Sequence, residues 1–307
     1  MDESTNPVLK ATGVFTYLVV AAKIIVYTLL MMFITGVFSF IIGDLLGLFP
    51  VLGENRLLYN IVIRCCMLAG VFISAFILLK YWDHLPFSDL GLSLKGRSKD
   101  IMWGMLTALI LYVVGFGILL LLGEVEVTGV QFQGDTLLMS WIVMLLVGIL
   151  EETMSRGFVL GRLLNAGINR FVALFISAAL FSLMHFFNPN FSFIAFLNIL
   201  LAGLLLGATY IYTRNLWFPI VLHIFWNWLQ GPIFGFAVSG GQYGTSLLTI
   251  NLPEKNIING GDFGFEGSIV CTALMIIATV IILKLASRQS ASDPYLRSTP
   301  EPEHVDE

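Results

Sequence analysis

The chain has 307 residues, of which 57% are hydrophobic and 12% charged, and its mean hydropathy is +0.89, which excludes an ordinary water-soluble domain and defines a polytopic membrane protein. Sixteen Lys and Arg against twenty Asp and Glu give a formal net charge of -4; the basic residues are scattered singly, with no basic stripe interleaved with aromatics, so nucleic acid is set aside as a partner. Cys65, Cys66 and Cys271 lie inside apolar segments and read as small buried hydrophobes, since neither a disulfide framework nor a CxxC metal site can be built from them.

In chain order, the acidic start MDESTNPVLK lacks a basic region ahead of a short apolar core, so no cleavable signal is expected. Residues 1–23 are expected to form a cytoplasmic N-terminus, with the apolar stretch ATGVFTYLVVAAK lying along the interface. A span needs about 20 mostly apolar residues to cross about 30 Å of hydrocarbon. Eight segments are expected to meet that need, near 24–43, 58–79, 101–122, 138–160, 171–187, 191–212, 216–235 and 265–285. The expected fold is therefore an all-α membrane domain of about eight transmembrane helices over 24–285, with a polar core at 138–235 and a disordered cytoplasmic tail at 286–307. The fifth segment, FVALFISAALFSLMHFF, is short by this measure. The glycine-rich stretch 236–268 reads as a partly ordered loop on the side away from the cytoplasm.

Lys and Arg set the orientation, because positively charged loops stay cytoplasmic. Lys80, Lys95, Arg97 and Lys99 fall between the second and third segments, Arg162 and Arg170 between the fourth and fifth, and Arg214 between the sixth and seventh, whereas the other side has only Arg56 and Lys255. Both termini are expected in the cytoplasm, in a multi-pass protein of the bacterial plasma membrane.

Ionisable side chains inside a span cost roughly 2.5 to 3.5 kcal/mol each on insertion scales, so they require pairing or a task. Lys23 and Arg64 lie near span ends, where snorkelling to the interface accounts for them. Glu151, Glu152, Arg156, His185, His223 and Asn227 are harder to dismiss. Glu152 and Arg156 stand four apart and share a helix face, where they can pair; Glu151 points about 100° away, unpaired. His223 and Asn227 share a face by the same spacing, and Phe181, four before His185, offers a pocket wall.

Depth brings these groups together. The connection NAGIN, residues 165–169, suits a tight turn between two antiparallel helices. Counting outward from Gly167, Glu151 lies 16 residues back and His185 18 forward, nearly level; His223, seven residues past Leu216, comes to a similar height. Gly203 and Gly207 form a GxxxG pair for close helix packing.

The ordered motifs EETMSR (Glu151, Glu152, Arg156), FSLMH (Phe181 to His185) and HIFWN (His223 to Asn227) resemble those of the CPBP family, the CAAX-protease and bacteriocin-processing intramembrane enzymes also called Abi, which includes the eukaryotic Ras-converting endoprotease. The resemblance covers about residues 138–235 and implies hydrolysis of a peptide bond by a glutamate-activated water. It implies Glu151 as general base, His185 holding and polarising the water, His223 and Asn227 stabilising the oxyanion, and Glu152 with Arg156 positioning the site. The implied substrate is a peptide or membrane protein, lipidated in the CAAX case, met within the bilayer.

No cofactor is expected, although Glu151, His185 and His223 form a conceivable zinc set drawn from three helices; HExxH is absent. Two other classes remain open at this stage: a non-catalytic scaffold or bacteriocin-immunity protein that keeps the cluster for packing, and a small proton-relaying transporter, against which no repeated half is visible.

Overall fold

The computed structural model describes residues 7–292, with side chains placed from 13 to 291. Its helices in chain order are α1 (Pro7–Phe40), α2 (Phe49–Gly53), α3 (Arg56–Leu78), α4 (Ser98–Leu121), α5 (Gly134–Glu152), α6 (Gly161–Asn165), α7 (Arg170–Met184), α8 (Phe193–Gly207), α9 (Tyr210–Thr213), α10 (Trp217–Trp228) and α11 (Ile269–Ser292). The fold is nearly all-α, as a chain crossing hydrocarbon requires, because a helix satisfies its backbone polar groups internally. Capping side chains set several starts: Asn55 accepts from the Leu58 N–H, Asn169 from Phe171 and Ser192 from Ala195.

Among the described residues six helical segments are long and apolar enough to span a membrane: Gly13–Leu45, Arg56–Asp83, Ser98–Leu121, Gly134–Asn165, Phe193–Thr213 and Ile269–Ala291. The fifth and seventh of the eight expected segments are shorter. α7 has 15 residues, and α10 has 12 before a π-helical turn, Leu229–Ile233. α10 packs inside the bundle, where neighbouring helices take the place of lipid, whereas α7 keeps an exposed apolar face with Phe171, Val172 and Phe175. α10 is the hub, lying against α4 and α5, while α1 packs on α3, α3 on α5, α7 on α8 and α8 on α11.

Lacking a hydrophobic drive in lipid, such helices associate by close packing at small residues. A Cβ on Gly148 of α5 would stand 2.6 Å from Ile224 Cγ1 of α10, and one on Gly203 of α8 would stand 2.8 Å from Ala178 Cα of α7. The GxxxG pair therefore serves packing, as the spacing predicts.

Several expectations change. α1 runs unbroken through Lys23, so ATGVFTYLVVAAK belongs to the first long helix. α11 continues to Ser292, past the boundary placed at 285; residues 293–307 lie outside the described residues. Lys23 pairs with Asp83. Arg162 is buried and pairs with Asp83 at 2.6 Å and also with Asp89, pinning the connection between α3 and α4 beneath α6. Cys65 is exposed, unlike Cys66 and Cys271.

Two strands were not foreseen. β1 (Glu126–Val130) pairs antiparallel with β2 (Leu248–Asn251), with a register shift between Val127 and Gly129. The glycine-rich stretch is thereby tied to the connection between α4 and α5. It is fixed again by Glu266, which lies in a 3₁₀ turn just ahead of α11.

Candidate active site

The site begins where α5 stops being regular. After Glu151 and Glu152 the helix widens into a π-helical stretch, Thr153–Leu160, in which all eight residues are buried. Such widened turns concentrate at functional sites. Arg156 lies within it and donates from Nη1 to Glu152 Oε1 at 2.8 Å. Its Nη2 donates to the Gly203 carbonyl at 3.1 Å, and the guanidinium sits 4.4 Å from the centroid of the Phe181 ring. A buried cation is thus held by a carboxylate, a carbonyl and an aromatic face, all features that offset its desolvation.

Glu152 does more than the spacing predicts. The oxygen that accepts from Arg156 also accepts from His223 Nδ1 at 2.7 Å. The close approach of α5 and α10 at Gly148, one turn before Glu152, makes this contact reachable. His185 closes α7 at its C-cap and donates from Nδ1 to the Phe181 carbonyl at 2.8 Å. In both imidazoles the acceptor at Nδ1 fixes the proton there, so Nε2 is the free position.

Both free positions face one atom. Glu151 Oε2 lies 3.8 Å from His185 Nε2 and 3.9 Å from His223 Nε2. It is buried and accepts no hydrogen bond. The ring of Phe181 backs the pair, with centroids 4.8 Å from His185 and 6.2 Å from His223. Asn227, one turn beyond His223 on α10, is buried and lines the same cavity. The structure therefore brings all six expected residues together, from α5 with its widened extension, α7 and α10. The level heights counted from Gly167 and Leu216 correspond to these contacts.

The cavity has a volume of about 520 Å³. Six methionines, Met31, Met32, Met67, Met154, Met184 and Met275, give it an adaptable apolar wall. Among the described residues no group of three or more His, Cys, Asp and Glu is arranged to hold a metal ion.

Two further charged residues line the same cavity: Arg64, which the sequence reading assigned to snorkelling, and Glu266, which it passed over. Glu266 accepts from Trp226 Nε1 at 2.9 Å and from the Ser239 N–H and hydroxyl at 2.9 and 2.7 Å. Gln230, itself bonded to Tyr112, donates to Glu266 at 3.3 Å. Trp226 and Gln230 stand four apart on one face of the helix at the end of α10, the same spacing that marked His223 and Asn227. That pattern was the available signal.

This is a polytopic helical membrane protein whose polar cavity is built from an unpartnered carboxylate, two imidazoles and a carboxamide. Residues 133–229, which contain all six groups, match the family described as Rce1-like, Type II CAAX prenyl endopeptidase Rce1-like. The match covers about a third of the chain and supports the CAAX-protease family that the three motifs resemble, whose activity is that of a CAAX-type intramembrane endopeptidase. No curated protein and no solved structure matches the chain.

Proposed function

We propose that the protein is a glutamic endopeptidase, in which Glu151 activates a water to hydrolyse a peptide bond inside the membrane. The observation that carries this reading is the convergence of two imidazole Nε2 atoms on the unpartnered Glu151 oxygen, at 3.8 and 3.9 Å. Those separations are too long for direct hydrogen bonds and suit an oxygen held between the three groups at about 2.7 to 3.0 Å from each.

In the proposed reaction Glu151 takes a proton from the water as its oxygen attacks the scissile carbonyl, and His185 orients that water. The carbonyl electrons move onto oxygen, where the Asn227 amide donates. His223 donates from Nε2 as an imidazolium, balanced by Glu152 at Nδ1. Glu151 then passes its proton to the leaving amine as the C–N bond breaks. Donors fixed beforehand in a site shielded from bulk water stabilise such an oxyanion strongly. Glu152 and Arg156 act as positioning residues. The proposed chemistry requires no metal, because the carboxylate generates the nucleophile.

The methionine-rich wall supports an apolar peptide, including a lipidated one. The distribution of Lys and Arg supports cytoplasmic termini. One observation favours a packing role for part of the cluster: Arg156 bonds both Glu152 and the Gly203 carbonyl, as a purely structural staple would.

The test compares the purified wild type with Glu151→Gln, both shown to be folded, on a peptide library with and without a chelator. The expected result is wild-type turnover indifferent to chelator and a loss of about 10²-fold or more in Glu151→Gln. Equal turnover by the two proteins rules out Glu151 as the base; loss of wild-type turnover with chelator transfers the chemistry to a metal.

A further inference from the structure

Three other cations embedded in or beneath the helices have carboxylate partners. Lys23 pairs with Asp83, Arg156 with Glu152, and Arg162 with Asp83 and Asp89. Arg64 has none among the described residues. Its Nη1 makes one contact, to the Met67 sulfur at 3.5 Å, and its Nε is enclosed without a partner. A thioether is a weak acceptor and cannot neutralise a guanidinium. Arg64 lies eight residues into α3, about 12 Å along its axis, and lines the cavity shared with Glu151, His185 and His223.

We propose that Arg64 is a specificity-determining residue that binds the C-terminal carboxylate of the peptide substrate. The assignment rests on the peptidase reading above. A guanidinium presents a rigid fork of N–H donors that matches a carboxylate and is weakly hydrated enough to act in a partly dry cavity. The neighbouring wall is apolar, with Met31, Met67 and Met154 among its members. A peptide whose side chains suit that wall brings one anion with it, its own terminus. Arg64 and Glu151 then act at two ends of one bound segment, whose length is set by the separation of the two side chains.

The test uses short apolar peptides, each made as the free acid and as the C-terminal amide, with and without an S-farnesyl cysteine. Cleavage is followed on the reconstituted wild type, Arg64→Met and Arg64→Lys, and binding is measured on the Glu151→Gln protein. The wild type should favour the acid by roughly tenfold or more, as expected for a hydrogen-bonded charge pair, mainly through KM. Arg64→Met should lose that preference, and Arg64→Lys should keep part of it. Equal wild-type rates on acid and amide overturn the proposal. So does an equal loss on both forms in Arg64→Met, the outcome expected if Arg64 only packs or holds a lipid phosphate. Binding separates the two readings: Glu151→Gln protein that prefers the acid yet still cleaves it removes the base assignment and leaves Arg64, whereas acid and amide bound equally removes Arg64 whatever the cleavage result.

Discussion

His223 and Arg156 meet on a single oxygen: Glu152 Oε1 accepts from the imidazole Nδ1 at 2.7 Å and from the guanidinium Nη1 at 2.8 Å. The acid that the helical spacing assigns to the arginine also orients the histidine of another helix. Replacing Glu152 with Ala leaves Arg156 buried without its counter-ion, a change that costs about 3 to 5 kcal/mol in comparable sites. The expected result for Glu152→Ala is a lower thermal midpoint together with loss of turnover. The double variant Glu152→Ala/Arg156→Met should recover much of the midpoint and none of the turnover, because His223 stays unoriented. A double variant that regains activity would show that Glu152 serves the arginine alone.

Asn227 stands one turn from His223 and faces the same cavity. As an oxyanion donor, its replacement by Ala should lower kcat by about 10² to 10³-fold with little change in KM. Steady-state kinetics on a cleaved peptide make the split visible. A change confined to KM points instead to a substrate-binding role.

The approach of α5 to α10 at Gly148 carries the contact between Glu152 and His223. Gly148→Val forces side-chain bulk against Ile224, and overpacking of this kind costs about 1 to 3 kcal/mol. Turnover should fall by more than the stability loss accounts for, because the two helices that share the site move apart. Comparing the fraction folded with the specific activity separates the two effects, and proportional losses would count against this geometry.

Glu266 holds the connection between α10 and α11 by accepting from Trp226, Gln230 and Ser239. Glu266→Ala leaves buried donors without an acceptor and should loosen residues 234–268 ahead of the helices. Hydrogen exchange followed by mass spectrometry should show faster exchange there, with α5 and α10 unchanged. Uniform acceleration throughout the protein would mean that Glu266 supports the whole bundle.

The candidate site was legible because charge inside an apolar segment is costly and therefore conspicuous, and because a four-residue spacing maps directly onto one helical face. Counting residues outward from Gly167 supplied the third dimension for Glu151 and His185. The bond from His223 to Glu152 was hidden, since it depends on which helices become neighbours. The widened turn after Glu152 has no composition of its own and could not be read. The place of Arg64 in the cavity wall could not be read, because an arginine reaching for the interface and one lining a cavity present the same local sequence. The pairing of β1 with β2 joins segments some 120 residues apart, as in the 121-residue separation of Thr128 and Thr249, so no local pattern announces it.

The candidate site residues all come from α5 with its widened extension, the end of α7 and α10, whereas much of the surrounding wall comes from α1, α3, α11 and the connection ahead of α11. On the proposed reading, cutting and choosing are encoded in separate stretches of the chain. Redrawing Met31, Arg64 or Met275 would retune which peptides are admitted while the scissors stay as they are, so this scaffold can acquire new clients without reinventing its chemistry.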